Sequence, residues 1–433
     1  MKPCPAVSNT PVTVGMIGLG TVGTGTYKVL SASGLVRFKA IAVGDTAKKR
    51  DIPGLDASLL TTDAMAIVND PEVQVVIEVV GGVDPAKTWL ETALKNGKHV
   101  VTANKELMAK HGKALFQLAS EHGVQILLEG AVAGGIPIIL PLKQSLAGNR
   151  IEEIAGILNG TTNYILTKMM QLGWGFDEAL KVAQEKGFAE ADPTADVEGH
   201  DAAYKISILA ALAFNGYVDP KNVHCEGITK ISAFEMEYAK TLGYTIKLLG
   251  LARREEGRED IDVRVHPMLV PVSHPLAGIN NEYNAVWVKG HAVGEAMFSG
   301  RGAGELPTAS AVSGDVLALV GGIQSGSRVP VPAMQIDFSH DAAMMPIEET
   351  HSHYYIRVNT TDKPGVIGHL GLACGDCGVS LQSVVQKETN ADETACIVLI
   401  THKVSDKQLQ AALKAMRAHD TVEDIPCVLR VLS

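Results

Sequence analysis

Residues 12–18 read VTVGMIG, a short β-branched run that passes directly into GLGTVG at 18–23 and then into a helix-compatible stretch reaching Leu30. A strand, a glycine turn and a helix in that order leave few folds open. GxGxxG alone is a weak signal, but here each glycine has a job. Gly18 permits the tight turn, Gly20 lets backbone approach a pyrophosphate, and Gly23 lets the helix pack closely. Thr21 and Val22 complete the turn. A second strand, 38–43, ends at Gly44 and Asp45, about where a dinucleotide fold carries the residue facing the adenosine ribose. Asp45 suits a free 2′-hydroxyl, whereas Lys48, Lys49 and Arg50 suit a 2′-phosphate, so NAD and NADP both stay open.

Further strands are expected at 73–80, 99–102 and 125–129, separated by helices at 85–96 and 106–122. This alternation implies a parallel, doubly wound sheet. Ligands of such sheets bind at the carboxyl ends of the strands, where Gly81, Gly82, Asn104, Lys105 and Glu129 fall. Lys105 is therefore a candidate active-site residue. The turn GAVAGGIP at 130–137 offers consecutive carbonyls, which suit a monovalent cation better than a divalent one; a plain loop is the other reading.

Gly187 to Lys205 reads GFAEADPTADVEGHDAAYK, in which Glu190, Asp192, Asp196, Glu198 and Asp201 precede a single lysine. A helix from about His200 puts Asp201, Lys205, Ile208 and Leu212 along one stripe. An exposed i, i+4 ion pair contributes only about 0.2–0.5 kcal/mol. The apolar continuation instead leads this pair into buried surface, where a lysine beside carboxylates can serve as proton donor or acceptor.

Between 150 and 300 the chain mixes helices and strands. NGTTN at 159–163 reads as a cap and turn opening a helix over 164–171, and its polar groups could equally bind a polar substrate. The loop near Ser299 to Gly304 is either a return crossing that brings Gly302 to the cofactor or a flexible linker. Beyond a connector at 326–350, residues 351–433 show the strand and helix order βαββαβ of a small ferredoxin-like domain.

With 433 residues, two or three domains are expected. A net charge of −10 without a basic stripe argues against nucleic acid as a partner. The start, MKPCPAVSNTP, has no apolar core of signal-peptide length, and the apolar stretch 131–142 is too short and too rich in Gly and Pro to span a bilayer. A soluble, cytoplasmic protein is expected. The six cysteines are irregularly spaced, so reduced thiols are expected, and Cys374/Cys377 reads as two small helix residues.

Taken together, GLGTVG (18–23), TANKELMA (102–109), EGAVAGGIPI (129–138), ILNGTTNYIL (157–166) and the 187–205 segment resemble homoserine dehydrogenases of the kind with a C-terminal ACT domain. DKPGVIGHL at 362–370 resembles the ACT signature more loosely. The resemblance implies reversible reduction of L-aspartate 4-semialdehyde to L-homoserine with a nicotinamide cofactor, in the branch leading to threonine, isoleucine and methionine. It implies a Rossmann-type nucleotide domain (1–150), an α+β catalytic and dimerisation domain (151–325), a linker (326–350) and an ACT domain (351–433). By motif, Lys205 matches the catalytic lysine and Lys105 the second lysine, where cofactor and substrate meet. Asp201, Glu190 and the backbone at Gly187 match substrate-holding positions. Glu129, Val132, Gly134 and Ile136 match positions whose main-chain oxygens hold a sodium ion. Gly44 departs from the pattern, standing where many members carry arginine or another polar residue. L-threonine is the implied effector, acting in a homodimer or homotetramer. Two rivals remain: a thioester-forming aldehyde dehydrogenase, which would need Cys225 as nucleophile, and a non-catalytic amino-acid sensor on the same fold.

Overall fold

The computed structural model describes residues 10–327, 329–336, 338, 340–389 and 394–432. Cys4 and parts of the 326–350 connector lie outside the described residues. Packing separates the chain into two units, each assembled from distant stretches. The first comprises Met1–Gly160, Asp201–Val223 and Tyr283–Ala342; the second comprises Thr161–His200, His224–Glu282 and Ala343–Ser433.

The first unit is built on six parallel strands, β1 (Val12–Ile17), β2 (Val36–Ala42), β3 (Leu60–Thr61), β4 (Val75–Glu78), β5 (His99–Thr102) and β6 (Ile126–Leu127), in the order β3-β2-β1-β4-β5-β6. β1 and β4 are buried along their whole length, as expected of strands covered on both faces by crossover helices. The strand order reverses between β1 and β4, the place where such sheets open a ligand crevice. The segment after Ser299 is a return crossing. Helix Glu305–Gln324 packs on helix Thr21–Ser33 so tightly that a Cβ on Gly25 would stand 2.6 Å from the Glu305 carbonyl oxygen. Lys28 and Glu305 pair at 2.7 Å across the same contact. By length and composition this helix could cross a bilayer, a stretch the expectation from 131–142 overlooked. Ala309, Val312, Val316, Leu319 and Val320 are buried in the unit, which accounts for its apolarity. An antiparallel ribbon of Ile151–Ile157, Tyr283–Gly290 and Gly294–Arg301 completes the unit.

The second unit carries a sheet in the order Tyr244–Arg253, Asp262–Pro271, Val422–Val431, His351–Thr361, Thr394–Thr401, Leu381–Thr389. From His351 onward the elements follow the expected βαββαβ order, apart from the two-residue strand Val404–Ser405, and helices Val366–Asp376 and Asp406–Arg417 close an apolar core with Ile356, Ile397 and Leu399. Val422–Val431 also runs parallel to Asp262–Pro271, so one sheet continues across position 351.

The main local departure is NGTTN. The helix starts at Gly160 and runs to Leu172, so Thr161, Thr162 and Asn163 lie inside it, and Asn159 stands before its first turn.

Candidate active site

A cavity of about 320 Å³ lies at the carboxyl ends of β1, β4 and β5, with Val22, Gly81, Gly82, Lys105, Gly134, Lys205 and Gly302 in its wall. Val22 brings the glycine turn to its edge. Gly18 has φ 105°, and its N–H donates to Ala42 O at 2.9 Å. A Cβ on Gly23 would stand 2.3 Å from the Gly18 carbonyl oxygen, while one on Gly20 would meet nothing within 4 Å. Turn, open approach and close packing thus fall on the three glycines in the expected order. Helix Thr21–Ser33 has no acidic residue in its first turn, leaving that N-terminus fit for a pyrophosphate.

The loop after β4 is fixed by a residue that the sequence did not single out. The fully buried Glu78 carboxylate accepts from Val80 N at 2.8 Å, Gly81 N at 3.2 Å and Thr102 Oγ1 at 2.7 Å. Asn104 caps the next helix by accepting from Leu107 N, and its amide donates to Gly82 O at 2.6 Å. Lys105 is therefore the first residue of helix Lys105–Glu121, aimed from the end of β5. Beyond β2, Asp45 accepts from Ala47 N, and the Arg50 guanidinium donates to the carbonyls of Asp45 and Lys48 at 2.8 and 2.9 Å. Arg50 thus braces its own loop, which leaves Lys48 and Lys49 as the uncommitted cations of that cluster.

Three sequence candidates come together in one wall. Asp201 is buried, with Oδ2 accepting from Lys205 Nζ at 2.6 Å and from Asn159 Nδ2 at 2.9 Å. Lys105 Nζ forms an ion pair with Asp201 Oδ1 at 2.5 Å. Lys205 also donates to Leu158 O at 2.8 Å. Burial pushes the Asp201 carboxyl up, but Lys205 and Lys105 more than offset this and hold it well below the usual carboxylate range. The Lys105 side chain is 44% exposed and that of Lys205 only 10%. One ammonium group stands at the rim and the other is held in the wall.

The remaining carboxylates of 187–205 belong to the second unit. Gly187, at φ 74°, and Glu190 belong to the second unit, where Glu190 is exposed and its carbonyl accepts from Gln184 Nε2. Asp192 closes a turn on Thr194. Glu198 accepts from Thr229 Oγ1.

In the 129–136 turn, Glu129 Oε1 accepts from Ile138 N and Ile139 N at 2.5 and 2.7 Å, and Oε2 from Leu140 N at 2.8 Å. Burial raises its pKa against those three donors. Its carboxylate is occupied, so a cation here would depend on main-chain oxygens. Val132 and Ile136 are buried, Ala133 and Gly134 take left-handed backbone, and a Cβ on Gly134 would stand 2.3 Å from Gly302 O. Among the described residues no group of His, Cys, Asp and Glu side chains is arranged to hold a metal ion.

The five described cysteines form no disulfide. The Cys225 thiol donates to Glu198 O, and burial with Glu198 and Glu226 pushes it up to about 11, the opposite of an activated nucleophile.

A dinucleotide-type crevice whose wall carries two lysines on one buried carboxylate is the design of an oxidoreductase that works on a carbonyl–alcohol pair. Residues 18–129 match the family described as "Homoserine dehydrogenase, NAD binding domain", and residues 137–317 match "Homoserine dehydrogenase". The chain is 48% identical to the homoserine dehydrogenase of Synechocystis sp., over 98% of this chain and all of that one. It is similar to the solved homoserine dehydrogenase of Thiobacillus denitrificans, with TM-score 0.90 and 40% identity over 98% of this chain and 99% of that one. A hyperthermophilic archaeal homoserine dehydrogenase in complex with NADPH matches with TM-score 0.60 and 25% identity, over 71% of this chain and 97% of that one. The chain belongs to the homoserine dehydrogenase family.

Proposed function

We propose that the chain interconverts L-aspartate 4-semialdehyde and L-homoserine, in the branch leading to threonine, isoleucine and methionine, with Lys205 as proton donor to the nascent alkoxide. The observation that carries this reading is the Lys105–Asp201–Lys205 cluster in the wall of the crevice. A nicotinamide cofactor bound at the glycine turn would supply the hydride chemistry in either direction. Negative charge then develops on the aldehyde oxygen, and a wall-held ammonium both stabilises it and can release its proton. Asp201 keeps Lys205 oriented; Asp201, Glu190 and the backbone at Gly187 are each assigned as substrate-holding groups. Lys105 meets substrate at the cofactor junction. Gly18, Gly20, Thr21, Val22, Gly23 and Gly302 receive the dinucleotide, either NAD or NADP. The archaeal relative's NADPH supports the phosphorylated form, as do Lys48 and Lys49. An assay of NADH and NADPH oxidation with aspartate semialdehyde tests the whole reading. Turnover is expected; its absence with both cofactors would favour the sensing protein.

A monovalent cation, sodium in this proposal, is held by the main-chain oxygens of Glu129, Val132, Gly134 and Ile136. It would stiffen the turn behind Gly302. Residues 351–433 act as an ACT domain that binds L-threonine. A cavity of about 260 Å³ at Thr360–Gly368 supports this, opening beside the first turn of helix Val366–Asp376, where backbone N–H groups suit a carboxylate. Calorimetry on the full chain tests it: no threonine binding, with or without cofactor, would remove the effector while leaving the dehydrogenase intact. Assembly as a homodimer or homotetramer is supported by strand Gly294–Arg301, which ends the strand order with Met297 exposed. A cytoplasmic location is supported by the unpaired thiols.

A further inference from the structure

Strand Ile151–Ile157 is followed by the dipeptide Leu158–Asn159, and both residues reach the same ion pair. The Leu158 carbonyl accepts from Lys205 Nζ at 2.8 Å, and the Asn159 amide donates to Asp201 Oδ2 at 2.9 Å. Main chain thus holds the lysine while side chain holds the carboxylate. Both Asn159 and Asp201 are buried, at 6% and 5% exposure. A carboxylate facing two ammonium groups with no third restraint can turn about its terminal torsion, which is broad. In one orientation it splits its oxygens between Lys105 and Lys205; in another it commits both to one lysine.

We infer that Asn159 is a positioning residue for the reaction: by holding Asp201 Oδ2 it assigns Oδ1 to Lys105 and keeps Lys205 aimed for proton delivery. The inference rests on the reading of Asp201 and Lys205 given above. The charged groups facing Asp201 are Lys205, from its own helix, and Lys105, from helix Lys105–Glu121. Asn159 brings no charge, so it orients without neutralising either. Its contribution falls on the proton-transfer step more than on substrate affinity.

Two variants of nearly the same shape as asparagine separate donor from volume. Asn159→Leu removes the donor, and Asn159→Asp replaces it with a second carboxylate. The expected result for both is a kcat lower by about tenfold, the scale of one hydrogen bond to a charged group. The homoserine KM should change less than kcat, because truncation of an interaction made mainly in the transition state lowers kcat. The solvent deuterium isotope effect on kcat should rise as proton delivery becomes slower. A kcat within about twofold of the parent in both variants would overturn the inference. So would a lower kcat with an unchanged isotope effect, which marks only a smaller active fraction. If Asn159→Leu does not fold, Asn159→Asp carries the same test. Lys205→Ala run alongside separates the levels: if it retains kcat, the site reading fails; if it is inactive while the Asn159 variants behave as the parent, only this inference fails.

Discussion

Two of the places where the described residues bury charge differ in kind. In the second unit, Asp262 Oδ2 takes Arg253 Nε at 2.9 Å and Arg264 at 3.1 Å, while Arg430 pairs with Glu226 at 2.7 Å and Asp406 at 3.2 Å. Three guanidinium groups meet three carboxylates, and Thr350 and Ser352 fill further donors of the fully buried Arg264. His266, sealed beside them, is held well below its ordinary pKa by burial and by Arg430 and Arg264, and stays neutral. In the first unit, two ammonium groups share one carboxylate, and a cavity forms the remaining side. Burial of charge alone therefore does not mark chemistry. A surplus of one sign beside an open wall does, because the missing counter-charge is what a reacting oxyanion supplies.

The largest effect expected from this contrast is on stability. Asp262→Asn would leave Arg253 and Arg264 without their shared counter-ion, which costs about 3–5 kcal/mol for a buried pair broken on one side. Denaturant unfolding should show that loss while kcat per folded molecule stays at the parental value. A fall in kcat without a fall in stability would erase the distinction between the two clusters. Asp201→Asn should do the reverse, raising the homoserine KM and disturbing Lys205 by about 1.5–3 kcal/mol, the range for a hydrogen bond to a charged group. Unchanged KM and kcat would make the first cluster structural as well.

Smaller effects sharpen the picture. Neutralising Lys48 and Lys49 should weaken NADP alone, by about 0.5–1 kcal/mol for each exposed cation, whereas changing Arg50 should also loosen the loop and affect both cofactors. Equal losses for NAD and NADP from the lysine pair would point the cluster elsewhere. Lys247 is sealed among Asn163 Oδ1, Ile279 O and Asn280 Oδ1, and burial lowers its pKa to about 8 from an ordinary 10.5. Between those values the unfolded chain binds the proton and the folded one does not, so this lysine makes stability rise with pH from about 8 to about 10.5. Urea midpoints across that range, compared with Lys247→Met, should show a slope in the parent that is smaller in the variant.

Much of the nucleotide-binding half was legible because its signals are local. VTVGMIG runs directly into GLGTVG, and most later strands of that sheet announce themselves as short apolar runs, whereas the two-residue strand Leu60–Thr61 carries no such signal and was not expected. Asp201 and Lys205 were legible through helical spacing, and Lys105 through the rule that ligands sit at strand ends. Asn159 was visible only as a polar residue in NGTTN, since its partner lies 42 positions away. Glu78 looked like the end of a strand, because what it holds is backbone. The Arg264 cluster was not legible at all: its partners come from residues near 226, 350, 406 and 430, and no periodicity encodes such meetings. The same holds for the sheet that continues across 351. A chain cut near Ser352 would lose Arg430 and strand Val422–Val431 together, so it should lose stability along with any threonine response.

The most direct measurement is kcat and the unfolding midpoint of Lys205→Ala from one preparation, beside the parent. The account predicts a kcat lower by about 10²–10⁴-fold, the range for a positioned proton donor, with an unfolding midpoint close to the parental one. A kcat near the parental value in a folded Lys205→Ala protein would contradict it.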